Sequence, residues 1–242
     1  MKNRLENMEY PGRGIIMGTT RKQQLFCAYF VTGRSASSQA RRFVNRGRII
    51  ATEPTDPETL AKGNPDLLIY NAIAWNDNVV AVSNGKQTDS VFTATACGID
   101  NLSISNVTRQ WNYEPDKPNF TPRISGRMII TPDNYRYSTM ELGIIKKKGE
   151  EKQAVREDFR LAPEFSDGNG KAYGITTYTG VNEEPLPPYE GEPFTLPIEA
   201  YSPPGLCEEL GDMVNRDFMV GIAAVIFKPS GKAEHSIRNF RG

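Results

Sequence analysis

An α+β fold with antiparallel sheets is what this chain predicts, on three observations. Short β-branched and apolar runs recur between Gly, Asn, Asp and Pro, helical spacing is confined to a few places between runs of strands, and no GxGxxG joins a strand to a helix. A doubly wound parallel sheet would alternate strand and helix throughout.

Residues 14–18, 25–31, 48–52, 67–75 and 79–83 read as successive strands, and Asn76-Asp77-Asn78 between the last two reads as a hairpin turn. After a Thr88-Asp89 start, Val91, Ala94, Thr95, Gly98, Leu102 and Ile104 carry helical spacing, so at least one helix is expected over 88–111, interrupted near Gly98. Residues 124–131, 135–146 and 172–179 read as further antiparallel strands. The charged stretch 146–157 reads as a solvated turn with a short helix. From 184 to 204 seven prolines remove too many amide donors for a helix or a central strand, which predicts an extended crossing segment. A helix over 205–216 follows, with Leu206, Leu210 and Met213 on one face and proline just before it. Residues 218–228 are almost uniformly apolar, as in a central strand buried on both sides. That buried strand brings the C-terminal part back to the common core, so residues 1–242 are expected to form a single domain.

The composition narrows the function. With 29 basic and 29 acidic residues among 242, the chain has no net field to gather nucleic acid or an anionic membrane, and any anion must be held locally. Its apolar runs fall short of the roughly 20 residues a membrane helix needs. The first nine residues lack an apolar signal, which points to the cytoplasm. Cys27, Cys97 and Cys207 form no CxxC pair and His235 is the single histidine, so neither a zinc site nor a Cys-His or Ser-His couple is expected. His235, in a charged tail, reads as a solvated side chain.

Four polar clusters remain as carriers of chemistry. Tyr10-Pro11-Gly12-Arg13-Gly14 is followed by Thr32-Gly33-Arg34-Ser35 and then Arg41-Arg42. There a strand ends in a glycine turn, where amide, hydroxyl and guanidinium groups can converge on a phosphate. The same run, continued by Arg46 and Arg48, could instead be a basic loop meeting solvent or nucleic acid. Tyr70-Asn71-Ala72 places two polar groups inside an apolar run, either as a hydrogen-bonded pair between strands or as a pocket wall. Ser83-Asn84-Gly85-Lys86-Gln87-Thr88-Asp89 is either a tight turn with Asp89 as helix N-cap or part of a site. Glu114 and Arg123 flank a proline-containing loop and could be a plain surface ion pair.

Taken in order, YPGRG, GRS with the later RR, LIYNAIA, VVAVSNGKQTD, YEPD and TPRISG resemble the motif series of the archaeal-type IMP cyclohydrolases, over about residues 10–126. The resemblance implies a four-layer αββα sandwich, two antiparallel sheets flanked by helices, like the fold of N-terminal-nucleophile hydrolases. It also implies closure of 5-formamidoimidazole-4-carboxamide ribonucleotide to IMP and water, without metal or cofactor. Nucleophile and formyl carbon belong to one molecule, so catalysis can consist largely of fixing a rotamer and supplying hydrogen bonds. On this reading Arg34, Ser35 and Arg41 hold the 5′-phosphate, while Asn71, Asn84 and Arg123 meet the carboxamide, formyl oxygen or ring. Tyr70 donates to the developing oxyanion, and Glu114 or Asp89 accepts the carboxamide proton. The implied partner is the small nucleotide alone, with no nucleic acid and no membrane, and the implied assembly is a homo-oligomer. Residues 146–157 and 184–204 are expected to be additions to the archaeal pattern. Two alternatives keep the fold: a nucleotide-binding module that has lost ring closure, and an amide hydrolase. The latter would need a processed N-terminus, for instance before Cys27, because the chain starts Met1-Lys2.

Overall fold

A computed structural model describes residues 4–99, 101–149, 154–165, 168–229 and 231–241. In chain order the elements are β1 (Arg13–Thr19), β2 (Leu25–Thr32), α1 (Ala36–Gln39), β3 (Arg41–Asn45), β4 (Ile49–Pro54), α2 (Pro57–Ala61), α3 (Pro65–Leu68), β5 (Asn71–Trp75), β6 (Val79–Ser83), α4 (Gln87–Ala96) and α5 (Ile104–Val107). There follow β7 (Arg123–Ile129), β8 (Thr139–Lys147), β9 (Ala154–Leu161), β10 (Gly170–Thr176), β11 (Phe194–Ile198), α6 (Pro203–Asp212), β12 (Met219–Phe227) and β13 (Ala233–Asn239). One sheet has the order β11-β10-β1-β2-β12-β13 and the other β3-β4-β5-β6-β7-β8-β9. Every pairing is antiparallel.

The α+β expectation is met. The two sheets face each other: a Cβ on Gly126 of β7 would meet Met17 of β1 at 2.9 Å, and one on Gly221 of β12 would meet Phe43 of β3 at 2.9 Å. Glycine at these positions lets the sheets approach without a clash. Helix α6 packs on β12, β13 and β2, while α4 packs on β5, β6 and β7, and α5 on β8 and β9. Two sheets thus lie between helices. The all-apolar β12 is buried along its whole length because it has β2 and β13 as neighbours and apolar layers on both faces. Fully burying one such side chain stabilises by about 1.5–3 kcal/mol.

Several boundaries differ from expectation, each for a local reason. The run 67–75 is not one strand: Asn64 caps α3 through Asp66 N, so Leu67 and Leu68 are helical and β5 starts only at Asn71. Tyr135–Tyr137 form a 3-10 turn capped by Asn134, and β8 begins at Thr139. The helical region 88–111 divides into α4 and α5 around Gly98, whose φ of +75° ends the first. Asp89 is not its N-cap; Lys86 occupies that position. The stretch 146–157 shows no helix among its described residues; its ends belong to β8 and β9, and Lys146 is buried against Glu157 and Glu190. Residues 150–153 of that stretch lie outside the described ones.

The proline segment contains β11, where Pro197 is tolerated because β11 is an edge strand. The basic run after Ser35 is no loop but the β3–β4 hairpin. Arg42 pairs with Glu53 at 2.7 Å, Arg46 with Glu53 at 3.8 Å, and Arg48 with Asp77 at 3.0 Å, which argues against an open basic face. His235 is exposed, as expected, although it lies in β13 rather than in a tail. At one side the sheets are joined edge to edge: the Asn239 side chain of β13 accepts from Phe43 N at 2.9 Å and donates to Phe43 O at 3.0 Å.

Candidate active site

Antiparallel connectivity places the polar motifs together. The starts of β1, β3, β5 and β7 and the ends of β2, β6 and β10 all fall at the same end of the sandwich. A cavity of about 590 Å³ opens there, lined by Arg13, Arg34, Ser35, Arg41, Glu114 and Tyr178 among others. Its size is that of a small-molecule site.

Arg13 is aimed by the turn before it. Gly12 has φ +76° and lies so close to Thr177 that a Cβ would stand 2.1 Å from its hydroxyl, so only glycine fits. Thr32 donates to Gly12 O through both its amide and its hydroxyl, at 2.9 and 2.6 Å. Arg13 N in turn donates to the Thr177 hydroxyl at 3.1 Å. The guanidinium then enters a buried wall where Nη2 lies 3.4 Å from Glu114 Oε2 and Nε has no hydrogen-bond partner. A buried orphan donor is costly unless a ligand satisfies it. Burial alone would weaken this cation, but attraction to Glu114, Tyr70, Tyr178 and Tyr29 outweighs it and holds Arg13 well above its ordinary pKa.

Glu114 is 1% exposed and sits between Arg13 and Arg123, the latter 3.9 Å away. It is therefore no surface ion pair. Its loop is braced by Glu114 N to Thr121 O at 2.8 Å and by the Asp116 carboxylate, which accepts from Thr121 N at 2.8 Å. Burial raises its carboxyl above the usual range, and the two guanidinium groups oppose this without cancelling it. The carboxylate is consequently a better proton acceptor than a solvated one. Burial lowers Arg123 in the same way, against the attraction of Glu114. Tyr178, which touches Thr121 through its hydroxyl, is pushed up by burial and keeps its proton as a donor.

The Asn-Gly turn after β6 supports this pair. Asn84 donates to Pro122 O at 2.9 Å and to Glu114 Oε1 at 3.4 Å, and it accepts from Ile124 N at 2.8 Å. Gln87 links Asn84 to Arg123 with bonds of 3.1 and 3.2 Å. Asn84 and Arg123 thus lie behind Glu114 rather than on the cavity surface.

At the cavity mouth Arg34 lies 5.1 Å over the Tyr10 ring, with Ser35, Ser37 and Ser38 beside it. The Ser35 hydroxyl caps α1 by accepting from Ser38 N at 3.2 Å and lies 3.1 Å from the Ser37 hydroxyl, either of the two being able to donate. Arg41 is 1% exposed, directed by Ser38 O at 3.0 Å and Leu68 O at 3.2 Å.

Four of the nine residues singled out from sequence, Arg34, Ser35, Arg41 and Glu114, therefore line one cavity. Tyr70 lies beneath it, its hydroxyl 2.9 Å from that of Tyr29. Asn71 and Asp89 are not brought there: they bond each other at 2.9 Å on the α4 side, because adjacent residues of an extended segment point to opposite faces. Arg13 and Tyr178 were not assigned from sequence. Arg13 stood within the quoted YPGRG, but its unpaired nitrogen is visible only in three dimensions.

Among the described residues no three His, Cys, Asp or Glu side chains gather as a metal site. Cys27 lies in mid-strand in β2, fully buried, and burial raises its thiol well above the usual range. Cleavage before it would cut the central ladder, which argues against a processed N-terminal nucleophile there.

Comparison with known proteins gives a consistent result. The family model described as "IMP cyclohydrolase-like protein" matches residues 10–231. An IMP cyclohydrolase of Methanocaldococcus jannaschii is 26% identical over 205 residues, covering 82% of this chain and 91% of its own length. Those of Methanosphaera stadtmanae and Methanothrix thermoacetophila are 27% and 28% identical, covering 70% and 73% of this chain and 73% and 78% of their own.

Proposed function

The chain belongs to the IMP cyclohydrolase-like family, and from that premise we propose that its cavity closes 5-formamidoimidazole-4-carboxamide ribonucleotide to IMP with release of water, a step of purine biosynthesis. One observation carries the reading to this site: a cavity of nucleotide size has Arg34, Arg41 and Ser35 on its wall, and a buried carboxylate beside an unsatisfied guanidinium.

The 5′-phosphate sits between Arg34 and Arg41, with the Ser35 hydroxyl donating to it. This orients the base toward Arg13 and Glu114. The formamide is held with its carbon against the carboxamide nitrogen, and fixing that rotamer supplies much of the acceleration. As the carboxamide nitrogen attacks, the formyl oxygen gains negative charge and is met by Arg13 Nε, a preorganised donor in a buried wall. Glu114 takes one proton from the carboxamide nitrogen and passes it to the formyl oxygen. That oxygen then leaves as water with the proton of the formamide nitrogen, and the C2–N3 double bond forms. Atoms and charge balance, and neither a redox partner nor a Lewis acid is needed. Tyr70 acts indirectly, since with Tyr29 it lies close enough to Arg13 to act on its charge.

A homo-oligomer is part of the same reading and rests on the resemblance alone. The test is direct: purified protein mixed with the formyl precursor in a chelator should form IMP, followed by ultraviolet absorbance, faster than the subtracted uncatalysed closure. A rate equal to background with IMP still binding would instead identify a nucleotide-binding module.

A further inference from the structure

The cavity mouth already holds an anion of the protein's own. Arg34 Nη2 lies 2.8 Å from Glu184 Oε1, and Nη1 donates to Asn182 Oδ1 at 3.2 Å. Glu184 opens the proline segment and Asn182 lies two residues before it; the segment reaches the site because Leu186 is buried against Tyr10 and Tyr178 and its amide donates to Asn119 at 2.8 Å. The segment is thus anchored at Leu186, while Glu184, two residues away, is largely exposed. A carboxylate on a guanidinium fork mimics a phosphate oxygen pair, and a phosphate monoester brings more charge to the same fork.

We propose that Glu184 competes with the substrate phosphate for Arg34, so that binding is an exchange of one anion for the other. The proposal rests on Arg34 being part of the phosphate seat. A doubly charged phosphate monoester displaces the exposed carboxylate, whereas a neutral riboside makes no contact that Glu184 contests. On release of the nucleotide, Glu184 returns to Arg34, which speeds the exit of product.

The experiment measures inhibition constants of inorganic phosphate, IMP and neutral inosine for the wild type, Glu184→Gln, the neighbouring control Glu183→Gln, and Arg34→Ala. Glu184→Gln should tighten inorganic phosphate and IMP by about three- to fivefold, the scale of one exposed ion pair, and leave inosine unchanged. Glu183→Gln should change none of the three. Unchanged or weaker phosphate binding in Glu184→Gln, or an equal shift for inosine, would overturn the exchange. Arg34→Ala separates the two levels. If it weakens phosphate and IMP while Glu184→Gln does nothing, the exchange alone falls. If it leaves phosphate and IMP unaffected, the seat lies elsewhere and the exchange falls with it.

Discussion

Replacing Glu114 by Gln removes the proposed proton carrier with almost no change of shape. The amide oxygen can still accept from Asn84, whose nitrogen lies 3.4 Å from Glu114 Oε1, and the loop bonds through Glu114 N and Thr121 are untouched. The phosphate residues Arg34, Ser35 and Arg41 belong to other elements and make none of their bonds to Glu114. Substrate affinity should therefore hold within about threefold, on the scale expected when no charged bond to substrate is lost. A positioned acid–base group contributes about 10²- to 10⁴-fold, or about 2.7–5.4 kcal/mol of barrier. kcat should fall by that amount in the absorbance assay.

The pH profile supplies a second reading of the same variant. Because burial raises Glu114, wild-type kcat should decline as pH drops through a midpoint above the ordinary carboxylate value of about 4.3, and this limb should vanish in the Gln variant. Stability runs in a known direction too. A carboxyl raised in the folded state favours folding below its unfolded pKa and loses that contribution as pH rises through the folded one. A Gln variant with wild-type kcat and an unchanged acid limb would refute Glu114 as the proton carrier.

Two further substitutions test the frame around the site. Asn239→Ala leaves Phe43 N and O without the side chain that joins the two sheets, a loss of about 1–3 kcal/mol, which calorimetry would read as a lower melting temperature at about 2–4 °C per kcal/mol for a chain of this size. A shift below about 1 °C would mean the sheets do not depend on that bridge. Asn71→Ala removes only the contact with exposed Asp89 and should leave kcat/KM within about threefold, as for other surface pairs worth at most about 1 kcal/mol. A loss of tenfold or more would place the substrate on the α4 side of β5.

What the sequence made legible depended on burial. β1, β2, β6 and β12 are buried throughout and carry no polar side chain between their end residues because both faces are covered, and their pattern is unmistakable. β3, β9 and β13 are edge strands in which charges such as Arg42, Asp158 and Glu234 interrupt the apolar pattern; such charges protect an edge from adding strands. They therefore read as loops, turn or tail. At the candidate site, Arg34, Ser35 and Arg41 were legible as polar groups gathered after a strand end, whereas Glu114 read locally as a surface ion pair and was singled out only through the resembling YEPD motif. Tyr178 lies beyond the resembling stretch, and nothing local marks it. The orientation of Asn71 was hidden because the start of β5 depends on the Asn64 cap, several residues upstream.

The most direct measurement is a crystal structure of the protein with IMP. Phosphate oxygens should lie within hydrogen-bond distance of Arg34 and Arg41, with Glu184 turned away from Arg34 and N1 and C2 of the purine beside Glu114 and Arg13 Nε. IMP bound in another cavity, or lying with its purine at Arg34 and its phosphate at Glu114, would contradict this placement.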